Sequence, residues 1–207
     1  QETRLLTLLM SDVHLWTRFG LTAVDQSAPY YSTDGYWNGT VWMAHQWFFW
    51  KALLDHGRAD EAHQIASTAL EVWQQEVVRS YNCFEHFTVT TGRGAGWHHF
   101  GGLSTPVLSW FAAYHRPGRV TTGLDTWIET LDVTLACDGL RVRLRHTGQA
   151  HHSPVVIVTL APGDYGAKWN GAPITAHVRY PGTLEITLPQ GVDEGTLEVG
   201  TPPHTVR

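Results

Sequence analysis

Between residues 59 and 80 apolar side chains recur every third or fourth position. Ala62, Ile65, Ala66, Ala69, Leu70, Trp73 and Val77 fall on one stripe, with Glu61, Gln64, Thr68, Glu71 and Gln75 mostly opposite. That spacing predicts an amphipathic helix with one wet face. Residues 41–56 behave differently: Val41, Trp42, Trp47, Phe48, Phe49, Trp50, Leu53 and Leu54 leave hardly any polar stripe before His56-Gly57 stops the run. A helix of this kind is expected to be buried nearly all round. A third helix is expected from Ser104-Thr105-Pro106, a cap with proline in the first turn, through Val107, Leu108, Trp110, Phe111 and Ala112 to Arg116-Pro117-Gly118. The opening residues, from Gln1 to Leu6, also read as helix.

A buried helix followed by an amphipathic one implies two layers of helices, with the joining segments carrying the aromatics. Val89 to Phe100 contains Gly92, Gly94 and Gly96 and reads as a mobile loop, without the Lys and Ser/Thr of a phosphate loop. Beyond about residue 126 the period becomes two. Leu140, Val142 and Leu144 interleave with Arg141, Arg143 and Arg145, and Val155-Val156-Ile157-Val158 is a buried-type run. Asp138-Gly139 and Asn170-Gly171 signal hairpin turns, and residues 184–188 and 196–199 supply further strands. The expected fold class is mainly α with a C-terminal β domain: a helical domain over 1–120 and an accessory β-sandwich over 126–207, joined through 116–125.

Composition narrows the partners. The net charge is −5 and Lys and Arg form no cluster able to neutralise a run of phosphates, which argues against nucleic acid. No apolar run is long enough to span a bilayer, so no membrane partner is expected. The chain opens without Met and without a basic, apolar signal segment; it reads as a possible fragment, with the cytoplasm the favoured compartment. Cys83 and Cys137 fall in different expected domains, which makes neither a disulfide framework nor a zinc site, and both are expected to be buried thiols. Trp, at 10 residues, is far above ordinary usage, and indoles serve cores and sugar platforms alike.

Two aromatic clusters bear chemistry. Tyr36-Trp37-Asn38-Gly39-Thr40-Val41-Trp42 sets three aromatics around one glycine, and Glu85 lies within Tyr81-Asn82-Cys83-Phe84-Glu85-His86-Phe87. Flat rings suit the C–H faces of a sugar, and a carboxylate among them can act as a general base. The alternative for Glu85 is a surface glutamate or an ion pair. Trp37 and Trp97, beside loop glycines, point to a sugar pocket, and Trp42 divides evenly between pocket and core. Trp47, Trp50, Trp73 and Trp110, at helical spacings, read as packing. His98 and His99 suit hydrogen bonding to sugar hydroxyls. Gln46 could do the same or satisfy a neighbouring backbone group. No metal is expected, because adjacent histidines share no face of a helix or strand and no His-Glu-x-x-His spacing occurs. Asn38-Gly39-Thr40 is a glycosylation sequon that reads as accidental.

The order Phe19-Gly20-Leu21, Pro29-Tyr30-Tyr31, residues 36–42, Glu85 and a Gly-rich stretch into Phe100-Gly101 resembles the carboxy-terminal part of glycoside hydrolase family 63. That family includes processing α-glucosidase and the bacterial mannosylglycerate and glucosylglycerate hydrolases. The resemblance covers roughly residues 15 to 115. It implies the last helices of an (α/α)6 barrel and hydrolysis with inversion by two carboxyl groups, with Glu85 as the base. It also implies a general acid, an aspartate, outside this chain, and His99 at a ligand-contacting position. Asn38 and Thr40 stand where the family usually shows Arg and Pro. Tyr36, Trp37, Asn38, Gly39, Trp42, Gln46, Trp97, His98 and His99 form the expected substrate site. A small sugar is the expected substrate, no cofactor is needed, and the missing part of the barrel or a second copy is the expected partner. The rival expectation is a noncatalytic carbohydrate-binding remnant or truncated pseudoenzyme.

Overall fold

The structure is a computed structural model that describes residues 2–201. Four helices occur among these residues: α1 (Glu2–Leu9), α2 (Met43–Asp55), α3 (Ala59–Ser80) and α4 (Gly101–His115). Strand makes up about 32% of the chain and helix about 29%, which overturns the expectation of a mainly α chain built as part of an (α/α)6 barrel. The helical stripes are where the pattern puts them, but the segments between them are not helical. Residues 10–42, with Gly, Ser and Thr spread along them, form turns and the short pair β1 (Trp16–Thr17) and β2 (Gly20–Leu21). The stretch from Val89 to Phe100, expected as a mobile loop, instead supplies the turn and second strand of a hairpin, in which β4 (Gly94–His98) pairs with β3 (Phe84–Phe87).

The chain divides into two compact units, Gln1–Trp50 with Asp60–Trp110 and Lys51–Ala59 with Phe111–Arg207. Within the first, α2 meets α4 through Trp50 and Trp110, ring centroids 6.3 Å apart and edge-on. The Trp73 indole N–H donates to Ser104 Oγ at 3.1 Å, fastening α3 to α4. Val41, Trp42, Met43, Ile65 and Phe87 fill the interior. Phe48 is more than half exposed, so α2 is not buried all round. Helix α4 starts at Gly101, three residues ahead of its expected start, which leaves Pro106 inside it. The missing Pro106 N–H would have bonded Gly102, whose exposed backbone water can reach.

The second unit is antiparallel β. Strands β6 (Thr126–Val133), β7 (Gly139–His146), β9 (Gly166–Trp169), β10 (Ala172–Ile174) and β13 (Glu194–Gly200) form one sheet in the order β10-β9-β13-β7-β6. Strands β5 (Arg119–Thr121), β8 (Val155–Thr159), β11 (Ala176–Tyr180) and β12 (Thr183–Thr187) form the other, ordered β11-β12-β8-β5. Part of the expected connection is therefore strand β5. Leu140, Val142 and Leu144 of one sheet and Val156, Val158, Leu184 and Ile186 of the other share one core. Arg141, Arg143 and Arg145 point outward as the alternation requires, and Arg143 and Arg145 both reach Glu129. Asp55 accepts the backbone N–H of Leu124 at 2.5 Å and of Asp125 at 3.0 Å, holding the turn that leads into β6. Cys83 and Cys137 are free thiols and only partly buried, against expectation. No helix among the described residues is long and apolar enough to cross a membrane.

Candidate active site

Glu85 lies in the middle of β3, where the pairing is irregular. Phe84 is opposite His98 and His86 opposite Ala95, so Gly96 and Trp97 together face Glu85. This is a β-bulge, with Gly96 at φ 74° supplying the left-handed backbone that the extra residue needs. The bulge turns the Trp97 N–H toward Glu85 Oε2, 3.3 Å away. A Cβ on residue 96 would stand 2.6 Å from that oxygen and 2.9 Å from the His86 ring, so only glycine fits beside the carboxylate.

Three ties fix the hairpin. Val41 and Phe87 exchange backbone hydrogen bonds, both 2.9 Å, which extends strand pairing onto the segment before α2. Arg93 Nε donates to Glu76 Oε2 at 2.7 Å, a second guanidinium nitrogen donates to Oε1 at 3.1 Å, and the Gly94 N–H adds a third donor at 2.9 Å. Glu76 is buried on α3, and these donors, Arg93 foremost, pull its carboxyl down to about 2. Asp34 accepts the Val89 N–H at 2.5 Å and the Thr90 N–H at 3.2 Å, and the Thr90 hydroxyl bonds its other oxygen.

Asp34 also brings its own loop against the hairpin. In that loop the Tyr36 hydroxyl donates to Glu85 Oε1. The Tyr36 carbonyl is held by the Trp42 indole N–H at 2.9 Å and the Thr40 hydroxyl at 2.8 Å. Gly39 is buried against Ser32, whose carbonyl a Cβ would meet at 2.0 Å. The Trp37 and Trp42 rings stack at 3.8 Å, only 5° from parallel, and His86 packs on Trp42 at 5.0 Å. Tyr36 meets Trp42 and His86 edge-on, each at 5.1 Å.

The hydrogen bond to Glu85 pushes the Tyr36 phenol above its ordinary value, so Tyr36 is a proton donor at neutral pH. Burial holds the His86 imidazole below its ordinary value, against the attraction of Glu85 and Asp34, and burial also lowers His45, which lies beside Trp37 and Trp42. The His86 Nδ1 is buried without a hydrogen-bond partner.

The expected site residues therefore separate into groups. Glu85 is 8% exposed and bonded to both Tyr36 and the Trp97 backbone, whereas the Trp37 and Trp97 side chains are 55% and 71% exposed. A shielded carboxylate is thus flanked by residues whose indoles are open to solvent. Trp42 is 1% exposed and forms the support under Trp37. Asn38 donates to the Tyr30 carbonyl at 2.6 Å, a contact within its own loop. Gln46 is 1% exposed, and its amide pairs with both backbone groups of Leu21, at 2.9 and 2.8 Å. His98 and His99 are exposed, with rings 5.0 Å apart, and neither bonds Glu85. Among the described residues no three His, Cys, Asp or Glu side chains converge around Glu85.

Sequence reasoning did not single out Asp34, named Gly96 only among the glycines of the expected loop, and named His86 only as a neighbour of Glu85 in its aromatic cluster. Asp34-Gly35 is a turn signal that pointed to the first position's special backbone; Asp34 has φ 61°. Nothing local marks Gly96 as a bulge.

Residues 1–101 match the profile of the mannosylglycerate hydrolase MGH1-like glycoside hydrolase domain. A mannosylglycerate hydrolase from Thermus thermophilus is 28% identical over 107 residues, which is 50% of this chain and 25% of that protein. Another from Rubrobacter radiotolerans is 29% identical over 93 residues, 45% of this chain and 18% of that one. The crystal structure of a family 63 mannosylglycerate hydrolase from Thermus thermophilus in complex with glucose aligns with 46% of this chain and 22% of its own, at 27% identity and a TM-score of 0.39. The chain spans about a quarter or less of the length of the curated relatives it matches.

Proposed function

Residues 1–101 carry a glycoside hydrolase domain of the mannosylglycerate hydrolase MGH1-like, family 63 type, and from that premise we propose that this chain supplies the general base and the aromatic wall of an inverting glycoside hydrolase. Glu85 takes a proton from the water that attacks the anomeric carbon, and a carboxylic acid outside this chain protonates the leaving oxygen. Tyr36 and the Trp97 N–H each donate to one oxygen of Glu85, which orients the carboxylate and leaves lone pairs for the water. Trp37 and Trp97 offer flat faces to the sugar. The relatives' names support a mannoside with a small anionic leaving group, and the alternative is a glucoside or a neutral leaving group. Asn38, neutral and turned to the Tyr30 carbonyl, favours the neutral one.

The observation that carries this reading is the burial of the Glu85 carboxylate between Tyr36 and the Trp97 backbone. The test is Glu85→Gln in the complete protein, with product anomers followed by proton NMR. Turnover with inversion in the parent, and its loss in the variant with sugar binding retained, supports the assignment. Undiminished turnover in the variant rejects it. Sugar binding without turnover in the parent would instead identify a noncatalytic carbohydrate-binding protein.

A further inference from the structure

We propose that His56, His151 and His152, in the second unit, form a surface site for a divalent transition ion of the zinc, nickel or copper class. His56 follows the last residue of α2, and His151 and His152 lie in the turn between β7 and β8, so the chain joins imidazoles that are far apart in sequence. The rings of His56 and His152 have centroids 4.1 Å apart and are tilted by 54°. Those of His151 and His152 are also 4.1 Å apart, at 62°. Ring nitrogens of His151 and His152 come within 4.8 Å of each other. Two ligands of one zinc ion stand roughly 3.4 Å apart when each Zn–N bond is ~2.0–2.1 Å, so a side-chain rotation brings the His151 and His152 nitrogens to ligand spacing. Binding also requires the His56 ring, which lies against His152, to turn a nitrogen toward the same point.

The backbone that presents the rings is fixed. Gly57 has φ 73°, and a Cβ there would meet the Ser153 carbonyl at 2.7 Å, so the backbone beyond His56 packs directly on the backbone beyond His152. The turn is pinned by the Gly191 N–H on the Ala150 carbonyl at 2.9 Å, by Gln190 on the His151 carbonyl at 3.0 Å, and by the His152 N–H on the Gln149 carbonyl at 2.9 Å. Three imidazoles suit borderline ions and do not suit Mg²⁺ or Ca²⁺, which take oxygen ligands. A bound ion would join the 149–153 turn to the end of α2. The site uses no residue of the Glu85 cluster, so it stands or falls separately from the proposed hydrolase activity.

The probe is Zn²⁺ added to the metal-free full chain, read by calorimetry, by thermal melting and by the long-range ring spectra of ¹⁵N-labelled histidines. About one Zn²⁺ per chain, a raised melting temperature, shifts of the His56, His151 and His152 ring nitrogens and no response to Mg²⁺ are expected. His152→Ala and His56→Ala should each weaken binding at least about tenfold. The ring spectra of the parent chain carry the test even if a variant fails to fold. Unchanged Zn²⁺ affinity in both variants overturns the proposal. So do ring shifts confined to other histidines, or loss of binding in His98→Ala/His99→Ala instead.

Discussion

Gly96 lies against the carboxylate of Glu85 so closely that a single methyl group on it would stand 2.6 Å from Oε2. The bulge that creates this approach also aims the Trp97 N–H at the same oxygen. Gly96→Ala should therefore act twice. A left-handed backbone at a non-glycine residue costs ~1–2 kcal/mol, visible as a lower melting temperature of the chain. Displacement of Glu85 should lower kcat of the complete protein by roughly 10²-fold, since a base moved by about an ångström loses its alignment with water. An active Gly96→Ala enzyme with normal kcat would show that the bulge is not part of the catalytic geometry.

Tyr36→Phe removes one donor from Glu85 and keeps the ring that packs edge-on against Trp42 and His86. A hydrogen bond to a charged group contributes roughly 1.5–3 kcal/mol. Hydrolysis should fall by roughly ten- to a hundredfold. Because the aromatic wall is unchanged, the dissociation constant of a bound sugar should stay close to that of the parent. Measurement of kcat/KM beside the sugar Kd separates the two quantities.

Glu76 makes the hairpin sensitive to acid. Its carboxyl is held at about 2 against an ordinary 4.5, first by Arg93, with burial opposing and the Gly94 N–H assisting. A lowered folded value means that the stabilisation is complete above the ordinary value and is lost as pH falls from 4.5 toward 2. The parent should lose melting temperature steeply across that window. Glu76→Gln should start lower at neutral pH and show a shallower acid limb, so the two curves converge near pH 2. Parallel curves would mean that other carboxylates govern the acid transition.

In the second unit, Asp55 gathers two backbone donors, Leu124 and Asp125, with the Thr126 hydroxyl at 3.4 Å. Asp55→Ala strands both amides in a part-buried turn, at about 1–3 kcal/mol for each unsatisfied group. Amide exchange at Leu124 and Asp125 should accelerate well beyond the change at β8 residues such as Val156.

How much of this was legible follows from the range of the interactions. The α3 stripe from Ala62 to Val77 and the alternation of Leu140 to Arg145 are local, and both elements lie where the pattern puts them. The hairpin was not legible, because Gly94 and Gly96 break the strand pattern and their compatibility with a strand depends on a bulge set by the partner. The mainly α expectation failed because the helices stop at four among the described residues while the β strands are many: the joining segments 10–42 and 81–100 form turns, bridges and a hairpin, and every element from Arg119 onward is a strand. Glu85 among aromatics was visible in the sequence. Its contact with Tyr36, 49 residues away, and the tie from Asp34 to the hairpin were not.

Trp37 separates a sugar platform from core packing, because its ring has one face on Trp42 at 3.8 Å while more than half of the side chain is exposed. Trp42 differs: it is 1% exposed and its indole N–H holds the Tyr36 carbonyl. Replacing each by Ala should therefore have opposite signatures. Trp42→Ala removes a buried ring and should cost about 3–5 kcal/mol, with loss of the Tyr36 backbone tie. Trp37→Ala leaves the interior filled and should change stability by about 1 kcal/mol or less, the worth of an aromatic pair. Its effect should fall on the ligand instead, since an open indole face gains by covering the C–H surface of a sugar. Chemical denaturation and sugar titration of the two variants check this directly: a Trp37→Ala chain that loses stability like Trp42→Ala, with sugar affinity unchanged, would make Trp37 a packing residue.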